Sequence, residues 1–185
     1  MANPRVSARG MSSTARHDVV DRLKRDHERM LRAFREFDHV DSLQACQQIV
    51  QRTCAEIKVH AAVEEELFYP AVRGAIDEAD LVDEAEIEHG SIAALVEAIE
   101  LLSPDDLKYK ASFRVLGDYV QHHVKDEETE LFPQLVQAQV DWETLAAEMA
   151  ARRAELCDEF GLCADEEPDE AIAHVPRAAE AGASR

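Results

Sequence analysis

The segments HAAVEEELFYP (residues 60–70) and HHVKDEETELFP (residues 122–133) repeat one spacing. In each, a histidine is followed by glutamates four and five residues later and by a proline ten residues later. The matching residues are His60, Glu64, Glu65 and Pro70 in the first segment, and His123, Glu127, Glu128 and Pro133 in the second. Because residues four apart lie on one face of an α-helix, each segment should direct a histidine and a glutamate to the same side. The prolines are expected to kink or end the two helices.

The composition of the whole chain also favours helix. The chain has 185 residues, of which 46% are hydrophobic, so it is long enough to bury a core as a single domain. It contains only six glycines and six prolines, whereas alanine, glutamate, leucine and arginine are plentiful. A helical domain is therefore expected.

The net charge of −19, from 39 acidic and 20 basic residues, argues against some partners. Nucleic acids and anionic membranes bind clusters of lysine and arginine, so neither is an expected partner. The N-terminal segment has no apolar run typical of a secretory signal, and no stretch is apolar enough to span a bilayer. The four cysteines contain no C-x-x-C pair. We therefore expect a cytoplasmic protein with reduced thiols.

Apolar residues recur every three or four positions in four long segments. These patterns begin near Asp18, Leu43 and Asp77, and after the sequence SPDD (residues 103–106), where Ser103 is expected to be the helix cap. Since the connections are short, neighbouring helices should run in opposite directions. The predicted fold is all-α, an up-down-up-down four-helix bundle with an additional C-terminal helix and flexible tails.

These patterns also divide the chain. Residues 1–16 are expected to be a flexible leader, and residues 17–140 the bundle. Residues 141–162 should form the C-terminal helix packed on the bundle, and residues 163–185 an acidic, disordered tail. Since the C-terminal helix could instead form a contact between two copies, both a monomer and a homodimer are consistent with the sequence.

Each of the four bundle helices places one histidine in its apolar stripe. His27, for example, lies four residues after Leu23 and three before Met30. The second and fourth helices each add a glutamate to the same stripe. The inward-facing set is His27, His60, Glu64, His89, His123 and Glu127.

This polar set needs an explanation. A single histidine on an apolar face is usually a core residue with a hydrogen-bond partner, and a metal-free scaffold is one interpretation of the bundle. Four histidines and two glutamates in a dry core would, however, lose their hydration without compensation. A metal site removes this difficulty, because cations bind neutral imidazole and carboxylate. The absence of thiolates favours iron or manganese over structural zinc, and carboxylates from two helices could bridge two ions.

Two further motifs strengthen this interpretation, RDHERM (residues 25–30) and EIEHG (residues 86–90). Together with the two repeats, they make the sequence from about residue 17 to residue 138 resemble the hemerythrin-like, or HHE cation-binding, family. The resemblance implies a four-helix bundle around two non-haem iron ions, joined by an oxo or hydroxo bridge and two carboxylates. It also implies, by position, that the six inward-facing residues are the iron ligands.

The sequence departs from the oxygen-carrying members of this family at one position. They have a fifth histidine four residues before the histidine of the third helix, where this chain has Ala85. If both glutamates bridge, the six residues fill about eight of the roughly twelve coordination positions of two octahedral ions. Glu86, on the turn before His89, and Tyr119, one turn before His123, are candidates to fill a remaining position or to orient a ligand histidine.

The neighbouring residues are expected to have structural roles. Glu65 and Glu128 point away from the inward face, so they should form salt bridges with neighbouring helices. Tyr69 and Phe132 should pack in the core. The other histidines are expected at the surface, namely His17, His39, His122 and His174.

The expected function is that of a non-haem di-iron protein that binds, and reacts with, small oxygen or nitrogen species in stress defence or sensing. The expected partner is thus a small diatomic or peroxide ligand, such as O2, NO or hydrogen peroxide. The alternative is a non-catalytic protein that binds or senses O2 or iron. The sequence pattern does not distinguish an enzyme from a binding protein.

Overall fold

The computed structural model describes the backbone of residues 4–162 and the side chains of residues 13–162. In chain order, its elements are α1 (Pro4–Phe37), α2 (Leu43–Val63), a π-helical turn (Glu64–Phe68), α3 (Tyr69–Val72), α4 (Asp80–Glu100), α5 (Leu107–Asp126), a second π-helical turn (Glu127–Leu131), α6 (Phe132–Gln134) and α7 (Trp142–Phe160). No strand occurs within residues 4–162, so the predicted all-α class is confirmed. None of the helices in this range is long and apolar enough to cross a membrane.

Helix α1 begins at Pro4, and the predicted start near Asp18 was wrong. The expected leader, residues 1–16, is therefore helical from Pro4 onward. Proline suits the first helical position, because the N–H that it lacks would have no partner within the helix. Between Pro4 and Asp18 the chain has a single glycine and no further proline, so nothing interrupts the helix. The acidic tail predicted for residues 163–185 lies outside the described residues.

Side chains cap the starts of α2 and α5. Ser42 precedes α2 with an extended backbone, and its hydroxyl accepts a hydrogen bond from a backbone N–H of the first turn at 3.1 Å. The residue that caps α5 is Asp106, and not Ser103 as predicted. The Asp106 carboxylate accepts a hydrogen bond from the Lys108 N–H at 2.7 Å, whereas the Ser103 hydroxyl donates to Asp105.

The helices α1, α2, α4 and α5 form the predicted up-down-up-down bundle. Helix α1 packs on α2 and α5, and α4 packs on the same two helices from the other side. Helix α7 packs against α1 and α2, which confirms the additional C-terminal helix. The face of α7 that meets the bundle buries Trp142, Leu145, Met149 and Leu156. At the end of α7, the left-handed φ of 71° at Gly161 lets the Leu162 N–H reach the Cys157 carbonyl at 2.9 Å.

The buried apolar side chains form two clusters, one towards each end of the bundle. On α1, Leu23 belongs to the first cluster and Met30 to the second, and His27 lies between them. On α4, His89 lies in the same way between Ala85 and Ile92. A buried polar layer therefore crosses the middle of the bundle, with apolar packing on both sides.

The two π-helical turns begin at the two inward-facing glutamates. In each turn a backbone N–H bonds to the carbonyl five residues earlier, from Tyr69 to Glu64 and from Phe132 to Glu127. The prolines that follow lack an N–H, and a proline ring conflicts with the carbonyl four residues earlier in a regular helix. The wider turn accommodates this, and the helical path continues into α3 and α6 rather than ending at the proline. π-helical turns occur frequently at functional sites.

Candidate metal centre

The six residues predicted to face inward meet in the polar layer of the bundle. Each is at most 4% exposed. Their ligand atoms form two groups, in which all members lie within 4.8 Å of one another. The first group is His27, His60, Glu64 and Glu127, and the second is Glu64, His89 and His123.

The four imidazoles form two pairs, and the two carboxylates lie between the pairs. The Nε2 atoms of His27 and His60 are 3.2 Å apart, and those of His89 and His123 are 3.1 Å apart. The Oε2 atom of Glu64 lies 3.0 Å from His60 Nε2 and 3.5 Å from His89 Nε2. Glu127 Oε2 lies 3.2 Å from His27 Nε2 and 3.7 Å from His123 Nε2. Each carboxylate thus faces one histidine of each pair.

A second set of carboxylates contacts the outer side of the imidazoles. Glu65 and Glu128, the residues after the two central glutamates, lie with Oε1 at 3.0 Å from His89 Nδ1 and 2.9 Å from His27 Nδ1. They do contact neighbouring helices, as predicted, but their partners are histidines of the cluster. Glu88 Oε2 lies 3.0 Å from His123 Nδ1. These carboxylates hold the orientation of the rings.

This arrangement fits a cation. A carboxylate at Nδ1 keeps the ring proton there and leaves a lone pair on Nε2. Two such lone pairs, on His89 and His123, lie 3.1 Å apart and cannot hydrogen-bond to each other without an added proton. Both oxygens of Glu64 and Oε2 of Glu127 are buried without a hydrogen-bond partner. Imidazole nitrogens and carboxylate oxygens that point at a common space are the donors that a metal cation takes.

Asp26 is a buried carboxylate that sequence reasoning missed. It is 3% exposed, and its Oδ2 lies 3.6 Å from His60 Nδ1. Arg29 and Arg153 both donate to it, and Arg153 comes from α7. Burial alone would raise the pKa of Asp26, but His60 and the two arginines outweigh this effect and lower the pKa to about 2. Asp26 therefore stays ionised and connects α7 to the cluster.

A signal in the sequence could have found two of these residues. Asp26 and Glu88 each directly precede a histidine of the cluster, His27 and His89. Each contacts the histidine of the next long helix, His60 and His123 respectively. An acid–histidine dipeptide within an apolar stripe is thus the pattern to look for.

His60 predicts a pH dependence for the metal-free protein. Burial opposes its protonation, but the Glu64 and Asp26 carboxylates outweigh burial and raise the pKa of His60 to about 10. This pKa lies above the ordinary value of 6.5, so protonated His60 stabilises the folded state. The stabilisation by His60 is complete below pH 6.5 and is lost as the pH rises towards 10. We expect the free energy of unfolding to fall by on the order of a few kcal/mol across this range.

Thermal unfolding of metal-free protein between pH 6.5 and about pH 9 measures this effect. The His60→Gln variant should show a flatter pH dependence than the wild type. His17→Gln, at an exposed position on α1, is the matched control and should keep the wild-type dependence. Equal slopes for the wild type and His60→Gln would contradict the assignment.

Tyr69 reaches the cluster, although the sequence predicted only core packing for it. Its ring is fully buried, and its hydroxyl donates to Glu127 Oε1 at 2.9 Å and lies 3.3 Å from His89 Nε2. Burial, together with the negative charges of Glu64 and Glu127, raises the pKa of Tyr69 well above its ordinary value. The phenol therefore stays protonated. The corresponding residue of the second repeat is Phe132, which has no hydroxyl, so one of the two repeats supplies this hydrogen bond to the cluster.

Replacement of Tyr69 by phenylalanine tests this contact. We expect the variant to bind metal, to lose about 1–2 kcal/mol of unfolding free energy, and to shift the visible spectrum of the metal-loaded protein. Tyr109→Phe, at a buried tyrosine of the other apolar cluster, is the control for a general effect of hydroxyl removal. A spectrum identical to that of the wild type would show that the hydroxyl does not influence the bound metal.

The two candidates for an additional ligand do not join the cluster. The Glu86 carboxylate accepts a hydrogen bond from Arg73 at 2.6 Å, at the surface. Tyr119 is 48% exposed on α5. The prediction that either residue contacts the cluster is therefore corrected, and Tyr69 supplies the phenol instead. His17, His39 and His122 are exposed as predicted, and His174 lies outside the described residues.

Comparison with known proteins supports the fold. A solved structure of a hemerythrin HHE cation binding domain-containing protein from Mycobacterium kansasii has the same fold, with a TM-score of 0.62 and 20% identity, over 74% of this chain and 85% of that one. A protein of a Nostoc species named DNA nickase is 31% identical over 115 residues, which are 62% of this chain and 32% of that relative. This chain thus spans about a third of that relative's length. The sequence profile of the hemerythrin HHE cation binding domain matches residues 18–135, and the chain belongs to this family.

Proposed function

We propose that the cluster holds two iron ions and that the protein binds, and reacts with, small oxygen or nitrogen species. The observation that carries this proposal is the placement of two carboxylates between two imidazole pairs. His27 and His60 would hold one ion, and His89 and His123 the other. Glu64 and Glu127 would each contact both ions.

The choice of iron rests on the donor atoms. The cluster consists of imidazole nitrogens and carboxylate oxygens, and the three cysteines within residues 4–162 lie outside it. Such a set without thiolate suits iron or manganese better than a structural zinc site. Metal analysis of protein purified from cells grown with both metals distinguishes them.

A reaction with a small ligand requires room beside the ions and a controlled supply of protons. Ala85, at the position of the fifth histidine in oxygen carriers, is buried and adds no donor. Tyr69 keeps a proton directed at Glu127, and the two apolar clusters limit the access of water to the polar layer. Bound iron would supply the electrons for reduction of O2, hydrogen peroxide or NO. The chain would thus contribute the binding space, the proton and the exclusion of solvent.

The contact with α7 favours a second candidate function, non-catalytic sensing of O2 or iron. Asp26 bonds to Arg153 of α7 and lies beside His60, so a change at the cluster would alter how α7 is held. A partner protein that contacts α7 could detect this change. In this case the small ligand would bind without being consumed.

We further propose that the protein works in the cytoplasm and does not bind nucleic acid or membranes. The net charge of −19, which repels phosphate groups, supports the lack of nucleic-acid and membrane binding. The free thiols of Cys46, Cys54 and Cys157 support a reducing compartment such as the cytoplasm. The activity named for the Nostoc relative belongs to a protein of which only about a third matches this chain, so it is not assigned to this chain.

An assay of iron-loaded protein tests the function. Protein reconstituted without oxygen is mixed in turn with O2, hydrogen peroxide and NO, and the absorption spectrum and the ligand concentration are followed together. Peroxide consumption that continues over many turnovers supports the reaction, because one peroxide molecule can be oxidised to O2 while another is reduced to water. Continued consumption of O2 or NO is measured with an added reductant, which restores the electrons that the iron gives up. A reversible spectral change without consumption supports binding or sensing. The His60→Ala/His123→Ala variant should show neither response, and a protein that retains no iron after dialysis would contradict both functions.

A further inference from the structure

A second group of ligand-type side chains lies at the surface, above the buried cluster. Glu88 of α4 and His122 and Asp126 of α5 place one ligand atom each within 4.8 Å of one another. His122 Nε2 lies 3.4 Å from Glu88 Oε1 and 3.5 Å from Asp126 Oδ2. Donor atoms bound to one transition metal at about 2.1 Å are about 3–4 Å apart, so these spacings suit a shared ion. The Lys125 amine lies 3.2 Å from the other Asp126 oxygen, Oδ1, and leaves Oδ2 facing His122.

This surface group is joined to the buried cluster by Glu88. While Oε1 of Glu88 faces His122, its Oε2 lies 3.0 Å from Nδ1 of His123. The two adjacent histidines of the HHVKDEE segment therefore contact opposite oxygens of one carboxylate, one at the surface and one inside. The side chain of His122 is 64% exposed, and that of Glu88 is 24% exposed.

An acidic cleft beside this group leads inward to Glu127. Its volume is about 20 Å³. It is lined by five acids and three apolar residues, namely Glu84, Glu88, Asp126, Glu127, Glu130, Leu81, Ala85 and Leu131. Glu127 is 2% exposed, and its Oε2 has no hydrogen-bond partner. A buried glutamate with one unpartnered carboxylate oxygen thus lines a cleft whose lining has no basic residue.

Two other clefts have a mixed charge. The cleft between α1 and α7 is lined by three arginines and by the acids Asp18 and Asp26. The cleft between α1 and α2 is lined by three arginines and by the acids Glu36 and Glu56. The acidic cleft, which has no basic residue in its lining, attracts cations more strongly than these two clefts. The acidic cleft is also too small for a hydrated divalent ion, because about 20 Å³ holds little more than one water molecule. An ion that passes must exchange its waters for carboxylates.

We propose that Glu88, His122 and Asp126 form a metal-loading site, which captures a divalent cation at the surface and passes it to Glu127 through the acidic cleft. The inference rests on the proposed metal-binding role of the buried cluster. His122 and Asp126 bind the ion first, Glu88 contacts both the surface group and His123, and Glu127 receives the ion as a ligand of the final site. The loading site speeds metal uptake and does not form part of the finished centre.

The test is the rate at which metal-free protein takes up Co²⁺, whose visible absorption reports binding. The variant is His122→Ala/Asp126→Asn, and the matched control is His17→Ala/Asp21→Asn, an exposed pair with the same spacing on α1. Glu88 is left intact because it contacts His123. We expect the rate for His122→Ala/Asp126→Asn to fall about tenfold, while the final Co²⁺ content equals that of the wild type. The control should load at the wild-type rate.

Each other outcome has a distinct meaning. A wild-type rate for His122→Ala/Asp126→Asn, or an equal loss of rate in the control, overturns the loading site and leaves the buried centre unaffected. A lower final Co²⁺ content in the variant also overturns it, because these residues would then belong to the centre itself. Failure of the wild type to bind Co²⁺ at all would overturn the proposed function, and the loading site with it.

Discussion

Replacement of Glu64 by alanine is expected to remove most of the bound metal. Glu64 Oε2 faces one histidine of each imidazole pair, so its loss would take a donor from both of the proposed ions. Loss of a residue that only orients a ligand typically costs about 10–100-fold in metal affinity. Loss of a shared ligand should cost more than about 100-fold, and the purified variant should contain far less metal than the wild type. Metal analysis by plasma emission spectrometry after dialysis measures the change.

Glu66→Ala is the matched control for this prediction. Glu66 lies two residues away in the same π-helical turn, but its carboxylate pairs with Arg152 of α7 at the surface. This control removes the same side chain and the same charge without touching the cluster, so it should retain the wild-type metal content. If Glu64→Ala and Glu66→Ala bind metal equally well, the buried carboxylate is not a ligand.

Removal of the metal should strongly destabilise the fold. A ligand present at 1,000 times its dissociation constant stabilises the folded state by about 4 kcal/mol, so the two proposed ions would contribute about 8 kcal/mol. The total stability of a protein is about 5–15 kcal/mol, so this is a large share. For a chain of this length, 1 kcal/mol corresponds to about 2–4 °C, and chelation should lower the melting temperature by about 15–30 °C. Differential scanning calorimetry before and after chelation gives the value.

The Glu64→Ala variant also serves as the control for chelation. Since it is expected to hold little metal, the chelator should change its melting temperature only slightly. Restoring the metal to chelated wild-type protein should recover the original transition. A wild type that melts at the same temperature with and without metal would show that the buried polar layer is stable by itself, as in a metal-free scaffold.

The sequence predicted the six central residues because their arrangement is local. A histidine and a glutamate four residues apart share one face of a helix whatever its neighbours are, and the apolar stripe shows which face is buried. The same reasoning failed for Tyr119 and Glu86. Each lies about one turn before a cluster histidine, but Tyr119 is offset by roughly 40° from His123 on the side opposite Glu127, and Glu86 is offset by roughly 60° from His89. These offsets are enough to place Tyr119 in solvent and to pair Glu86 with Arg73.

The outer carboxylates illustrate what a local pattern leaves out. Glu65 and Glu128 repeat in the sequence, yet their partners, His89 and His27, depend on α4 lying beside α2 and α1 beside α5. The Tyr69 hydroxyl reaches Glu127 across the bundle, 58 residues away in the chain. Whether a tyrosine hydroxyl contacts a carboxylate or only apolar atoms depends on how two helices pack against each other.

The amino-acid sequence by itself determined the all-α class, the four bundle helices and the inward-facing histidines and glutamates. These follow from helical periodicity and from the cost of exposing apolar side chains, which act within each segment. The tertiary structure decided which carboxylate orients which imidazole, how Arg153 of α7 reaches Asp26, and where an acidic cleft meets Glu127. These contacts join residues far apart in the chain, so they exist only when the helices pack side by side.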